Sequence, residues 1–137
     1  MGESQTHIDF VKRLHSVATM LLNEQELLFL YLDVPNEIIK PQRTFENFYP
    51  DMFYASDDIM IIGEAKTAND IDRKHSMMQY ESYFHELSMF SGRSIMVFSV
   101  PWYTKNTIKN IARRLRKKYS KKIEVYIVSD IEGVEVL

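Results

Sequence analysis

The chain has 137 residues, a formal net charge of -2, 45% hydrophobic and 26% charged residues, and no cysteine. This composition excludes a disordered chain, and the lack of cysteine excludes disulfides, thiolate zinc sites and cysteine nucleophiles. We therefore expect a single domain over residues 1–137, in which oxygen atoms hold any metal ion.

The N-terminal residues contain no basic segment followed by an apolar one, and no run approaches the length of about 18 apolar residues that marks a membrane span. We therefore expect neither a signal peptide nor a transmembrane helix. The prediction is a soluble cytoplasmic protein with no membrane partner.

The first predicted element is an amphipathic helix over residues 6–22, where apolar side chains recur at helical spacing. Residues 27–33 form a short apolar run that fits either a buried strand or the end of a longer helix, because periodicity does not separate the two at this length. Residues 36–48 are ambiguous, since Pro41 argues against a central strand while the residues after it alternate as in an edge strand.

A β-hairpin is predicted next, because the β-rich residues 52–55 and 59–66 are separated by a short polar cluster. Asn69 or Asp70 then caps a helix of about twenty residues. That helix ends near Gly92, since glycine suits the left-handed position past a helix end.

Residues 93–100 are almost continuously apolar, which is typical of a strand covered on both faces. Trp102, beside Pro101, fits either the end of this core strand, which we expect, or a position that stacks on a nucleobase. Thr104 caps another helix. Residues 121–130 alternate as a strand does, and the chain ends in the apolar tail 134–137.

The order of these elements is helix, two or three strands in a meander, helix, strand, helix, strand. Later strands joined by helices are parallel, whereas a hairpin is antiparallel, so the sheet is expected to be mixed. The prediction is a single-domain α/β fold with a mixed central sheet flanked by helices.

Charged side chains converge at one end of the predicted hairpin. Strand residues two apart face the same side, so Glu64 and Lys66 project together, and Asp51 lies on the neighbouring strand. Two carboxylates and the carbonyl of Ala65 form an oxygen site that suits magnesium, with Lys66 facing the substrate phosphate. This set of groups predicts metal-dependent phosphodiester hydrolysis.

These residues also resemble a known family. Pro50-Asp51, a spacer of 12 residues and then Glu64-Ala65-Lys66 resemble the PD-(D/E)XK nuclease superfamily. Gln79-x-x-x-Tyr83 on the next helix is similar to an element of its RecB-like and related branches, and the chain resembles a small nuclease domain of the RecB-like or VRR-NUC-like kind. The resemblance implies a restriction-endonuclease-like αβββαβ core.

The resemblance also implies a role for each motif residue. Asp51 and Glu64 would be metal ligands, Lys66 the catalytic lysine, and Gln79 and Tyr83 supports that face the site or the nucleic-acid backbone. Many members bring a further acid from the first helix. Here Glu24 and Glu26 give no clear match, which leaves the number of metal ions open.

Further nucleic-acid contacts are predicted outside the motif. His75 shares a helix face with Gln79 and Tyr83 and is expected at the same mouth. Residues 104–122 hold nine of the 17 lysines and arginines and no acid, a pattern typical either of a solvated helix face or of phosphate binding. The predicted contacts on this helix are Lys105, Lys109, Arg113, Arg116 and Lys117.

The sequence thus predicts an endonuclease or exonuclease that cuts DNA with magnesium or manganese, and it leaves open whether that DNA is linear, branched or single-stranded. A homodimer is expected, because a chain of this size exposes little surface for a duplex. One alternative is a catalytically inactive module of the same fold that binds nucleic acid or a protein. Another is an unrelated α/β protein in which Glu64 and Lys66 form a salt bridge.

Overall fold

The computed structural model describes residues 5–131 and 133–137. The helices are α1 (Gln5–Leu21), α2 (Glu24–Leu27), α3 (Lys74–Met89) and α4 (Lys105–Lys118). The strands are β1 (Tyr31–Leu32), β2 (Met52–Ala55), β3 (Ile59–Ala65), β4 (Arg93–Ser99), β5 (Glu124–Ser129) and β6 (Gly133–Val136). A 3₁₀ turn, Trp102–Thr104, precedes α4. Among these helices, none is long and apolar enough to cross a membrane.

The described strands form one sheet in the order β1-β2-β3-β4-β5-β6. The pairs β3–β4 and β4–β5 are parallel, and the other neighbouring pairs are antiparallel. Helices α3 and α4 connect the parallel strands, as crossovers must. The predicted α/β fold with a mixed sheet flanked by helices is confirmed.

The sheet separates two hydrophobic clusters. Helix α1 covers one face, where Leu14 packs with Ile95 and Val97 of β4. Helices α3 and α4 cover the other face, where Phe84 and Phe98 stack with ring centroids 6.3 Å apart. Both faces of β4 are therefore buried, which explains its almost continuous apolar sequence.

Helix α3 begins later than predicted. It starts at Lys74 and has 16 residues, so the predicted cap at Asn69 or Asp70 is wrong. The Thr67 hydroxyl donates to the Asp70 carboxylate at 3.2 Å, and the Asp70 N–H donates to the Thr67 carbonyl at 3.1 Å. These bonds close a turn before the helix, and short polar side chains favour such turns over helix interiors.

Other differences arise where tertiary pairing decides the structure. The apolar run over residues 27–33 contains both the end of α2 and the short strand β1. Residues 36–48 contain no strand, so the suggested edge strand is absent there. Trp102 is not the end of the core strand, because β4 ends at Ser99 and the Trp102 side chain is 46% exposed.

We call the edge at which β3, β4 and β5 end the site edge, and the edge at which they begin the far edge. Because β2 is antiparallel to β3, the start of β2 and the end of β3 meet at the site edge. Helix α4 connects the end of β4 to the start of β5, so it runs from the site edge to the far edge.

Candidate active site

The β2–β3 hairpin brings Asp51 beside Glu64 at the site edge. Met52 pairs with Gly63, so Asp51 lies one residue beyond that pair and next to Glu64. The backbone N–H of Ala65 donates to Oδ2 of Asp51 at 2.9 Å. This bond fixes the first acid of the motif against the backbone between its second acid and Lys66.

Helix α3 holds the other two motif residues against the strand. The buried Glu64 carboxylate accepts a hydrogen bond from the Tyr83 hydroxyl at 3.0 Å. Nζ of Lys66 lies 3.4 Å from the other carboxylate oxygen of Glu64 and donates to Oε1 of Gln79. Lys66 is therefore held by one neutral acceptor and one anion, which orient its ammonium group.

Tyr83 has a different position from the predicted nucleic-acid contact. Its side chain has no solvent exposure, and its hydroxyl points at Glu64. It therefore orients a carboxylate within the protein and has no surface for a phosphate backbone. Gln79 has the predicted supporting position, since its amide oxygen accepts from Lys66.

These groups line a cleft of about 180 Å³ at the site edge. Carboxylate, ammonium and hydroxyl groups make its wall mainly polar. The lining residues are His7, Phe10, Asp51, Glu64, Ala65, Lys66, Thr67 and Asp70.

Two residues of the cleft region, His7 and Asp33, were not predicted from the sequence. Nε2 of His7 lies 3.2 Å from Oδ2 of Asp33 and 3.7 Å from Oδ1 of Asp51. One ligand atom of each of the three residues lies within 4.8 Å of the others, so this group could hold a metal ion. An imidazole with two carboxylates suits manganese or another first-row metal, while carboxylates alone suit magnesium.

The position of Asp33 follows from strand pairing that a linear motif does not contain. Leu32 pairs with Met52, and the N–H of Asp33 donates to the Asp51 carbonyl at 2.8 Å. Once that register is set, Asp33 must lie opposite Asp51. The position of Asp33 could therefore have been predicted only from the pairing of β1 with β2. The sequence does not specify the register of a strand as short as β1, which has two residues.

The acids considered near the end of the first helix do not line the cleft. Asn23 caps α2 in a reciprocal pair with Glu26, whose side chain accepts from the Asn23 N–H at 2.8 Å. Glu24 is exposed in the same short helix. The resemblance implied that the first helix would contribute an acid to the site. The side chain of α1 that bears an ionisable group and lines the cleft among the described residues is instead His7.

Burial shifts the acid–base equilibria of both motif carboxylates. Burial raises the pKa of Asp51 to about 6, although the Ala65 N–H and the neighbouring His7 act in the opposite direction. Burial and the nearby charge of Asp51 raise the pKa of Glu64 well above its usual range. A cation in the cleft would favour the ionised form of both groups, because positive charge offsets their desolvation and mutual repulsion.

The remaining predicted contacts are dispersed. His75 is exposed and packs edge-on against Phe48 with ring centroids 5.6 Å apart, and it does not line the cleft. Lys105 and Lys109 both contact Glu135 of β6, the former at 3.2 Å. Arg116 donates to the carbonyls of Ile123 and Leu137.

Arg113 and Lys117 are exposed toward the far-edge half of α4. The predicted row of nucleic-acid contacts is thus divided between fold-stabilising ion pairs near the site edge and exposed charges near the far edge.

Comparison of the chain with protein-family models, curated proteins and solved structures finds no match.

Proposed function

We propose that the protein is a metal-dependent nuclease that hydrolyses DNA phosphodiester bonds in the cleft at the site edge. One observation carries the proposal, the hydrogen bond from the Ala65 N–H to Asp51. It joins two buried carboxylates and a lysine in one cleft although the first acid is far from the others in sequence. Buried carboxylates destabilise a fold unless they have a partner, so their convergence points to function.

Membership of the PD-(D/E)XK superfamily is part of this proposal. The order α1, β1, β2, β3, α3, β4 agrees with the αβββαβ order of that core, apart from the short α2. Pro50-Asp51 precedes β2, Glu64-x-Lys66 closes β3, and Gln79-x-x-x-Tyr83 lies on α3 with both side chains directed at the motif. These placements support the assignment.

Three side chains that line the cleft, and Asp33 beside them, have the chemistry to bind a divalent cation. Asp51 and Glu64 are the predicted ligands, and His7 and Asp33 extend the set on the α1 side. A bound magnesium or manganese ion would supply Lewis-acid polarisation of the phosphate and favour deprotonation of water. The imidazole favours manganese over magnesium within this set.

Lys66 supplies the second element of the mechanism. Its ammonium group faces the cleft between Glu64 and Gln79, where it stabilises the negative charge that develops on the attacked phosphate. The water oxygen bonds to phosphorus and releases a proton to solvent, the bond from phosphorus to the leaving oxygen breaks, and that oxygen takes a proton from solvent. Removing one such preorganised donor typically lowers the rate about 100- to 1000-fold.

The test is cleavage of plasmid and branched DNA in the presence of magnesium or manganese. We expect Lys66→Ala to lower the rate at least about 100-fold. Lys121→Ala, at an exposed position on the far edge, is the matched control and should cut as the wild type does. Equal cleavage by wild type and Lys66→Ala would refute the proposal.

The structure also offers support for the alternative of an inactive binding module. Glu64 and Lys66 have partners within the protein, as residues of a purely structural ion pair do. Calorimetric titration with manganese separates the two hypotheses. A binding heat that disappears in Asp51→Asn and persists in Asp57→Asn, an exposed acid of the hairpin turn, supports the metal centre; no heat in the wild type supports the module.

A further inference from the structure

Two exposed aromatic side chains lie together on the site edge. Trp102 is 46% and Tyr103 63% exposed, and their rings meet edge-on with centroids 5.7 Å apart. Large aromatic side chains are usually buried, because each removes a large apolar area from water. Both rings are therefore accessible to a ligand.

The turn that carries these aromatics is fixed on both sides. The Trp102 N–H donates to the Asp130 carboxylate at 3.0 Å. The Thr104 hydroxyl and N–H both donate to the Pro101 carbonyl, at 2.8 and 3.0 Å. The two rings are therefore presented by an ordered backbone, so binding would require little further ordering.

A polar pocket of about 280 Å³ adjoins the aromatic pair. Besides the rings, its lining contains two lysines, one amide and one carboxylate: Lys105, Asn106, Lys109 and Glu135. The two ammonium groups contact the single carboxylate, which holds them in place beside the rings. An amide offers both a donor and acceptors to the edge of a base.

The pocket and the candidate active site are joined by the backbone of β4. The Lys66 N–H donates to the Ser99 carbonyl at 3.0 Å, and Trp102 follows Ser99 by three residues. With about 3.3 Å per extended residue and about 4.8 Å between strands, the two sites lie on the order of 10–15 Å apart. A few nucleotides of extended single strand cover that distance.

We propose that Trp102, Tyr103 and the adjoining pocket bind unpaired nucleobases of a DNA single strand that continues into the cleft. The inference rests on the proposed nuclease function for the class of ligand and adds the substrate structure. Aromatic rings stack on the faces of unpaired bases, whereas bases within a duplex already stack on one another. The exposed amide of Asn106 suits a base edge.

Binding can be measured without cleavage. The chain contains one tryptophan, so its emission reports on this pocket. In EDTA, we expect saturable quenching by an oligothymidylate of about 12 nucleotides and much weaker quenching by a blunt hairpin duplex. Unchanged emission, or equal affinity for the two probes, would overturn the inference.

Variants assign the effect to stacking. Trp102→Ala should weaken oligothymidylate binding roughly 5- to 100-fold by fluorescence anisotropy of a labelled probe, and Trp102→Phe should restore most of it. Phe45→Ala removes an exposed aromatic ring from another part of the chain and should bind as the wild type does. Wild-type affinity in Trp102→Ala would contradict the proposed stacking.

The outcome is separable from that of the nuclease proposal. Quenching in EDTA without metal-dependent cleavage would retain the single-strand site and refute the nuclease. Cleavage that depends on Lys66, with no quenching of Trp102, would retain the nuclease and refute the single-strand site.

Discussion

At the level of single residues, the buried acids of the cleft oppose folding when no cation is bound. The pKa of Asp51 is about 6 in the folded protein, against 3.8 for an unperturbed aspartate. The folded state therefore holds a proton that the unfolded state has lost between these values. The free energy of unfolding consequently falls as pH rises from about 4 to about 6 and stays low above that range.

Asp51→Asn should therefore stabilise the metal-free protein. We expect a gain of about 1–3 kcal/mol in the free energy of unfolding at pH 7, because the amide removes the buried charge and still accepts from the Ala65 N–H. Urea unfolding in EDTA measures this gain. Asp57→Asn, in the exposed turn, should change stability by less than about 0.5 kcal/mol. A destabilised Asp51→Asn would contradict the prediction.

The sequence identified some of these residues and missed others for a physical reason. Glu64 and Lys66 are two residues apart on one strand, and strand geometry alone places them on one side. His7 reaches the cleft through the packing of α1, and Asp33 contacts His7 through the register of β1. Such long-range placement has no local signature in the chain.

At the level of elements, the hairpin depends on a close approach at Gly63. A Cβ atom there would lie 2.9 Å from Cβ and 3.0 Å from Cε of Met52, and 3.3 Å from Cδ2 of Leu14. The Cβ of Met52 cannot rotate away, because it is attached to the backbone. Gly63 thus allows β3 to pack closely against Met52 of β2. Each of these two paired residues is the sequence neighbour of one of the acids, Glu64 or Asp51.

Gly63→Ala should disturb the site as well as the fold. We expect a loss of about 1–3 kcal/mol in stability and weaker manganese binding, because β3 must shift next to Glu64. Gly92→Ala is the control, since its Cβ would lie 2.3 Å from the Asp58 carbonyl oxygen at the far edge. It should destabilise the fold without changing manganese affinity per folded molecule, as measured by calorimetry. Wild-type manganese affinity in Gly63→Ala would contradict the expected shift.

Helix α4 illustrates what composition does and does not predict. Its many basic residues were evident in the sequence, but their partners were not. Lys105 and Lys109 contact Glu135, which lies beyond the next strand, and Arg116 contacts backbone carbonyls. The number of charged residues indicates a basic helix. Which of those charges have a partner depends on the strand order, because the strand order places Glu135 near the helix.

At the level of the whole molecule, the two edges of the sheet have different environments. The mixed sheet and its helical crossovers were predictable, because hydrophobic periodicity and connection rules indicate them, whereas the sixth strand, β6, was not predicted. The 14 residues of α4 span roughly 20 Å, so its C-terminal half lies roughly 10–20 Å from the end of the helix at the site edge. The sequence did not indicate which half of the helix would lie near the acids.

This geometry predicts that the far-edge charges contribute little to catalysis. The double variant Arg113→Glu/Lys117→Glu should keep its cleavage rate within about threefold of wild type, since screening in 0.15 M salt acts over about 8 Å. Initial rates on plasmid DNA with manganese measure this effect. A loss as large as that of Lys66→Ala would show that substrate extends across the molecule to the far edge.

The hydrogen bond from the Lys66 N–H to the Ser99 carbonyl has a consequence for the products of such a nuclease. It continues the β3–β4 ladder past its last residue pair, so one ladder positions both Lys66 and the turn that bears Trp102. A strand held at both places would be cut at a fixed number of nucleotides from the bases stacked on Trp102. The distance between the two sites on the sheet would then determine the length of the product, independently of its base sequence.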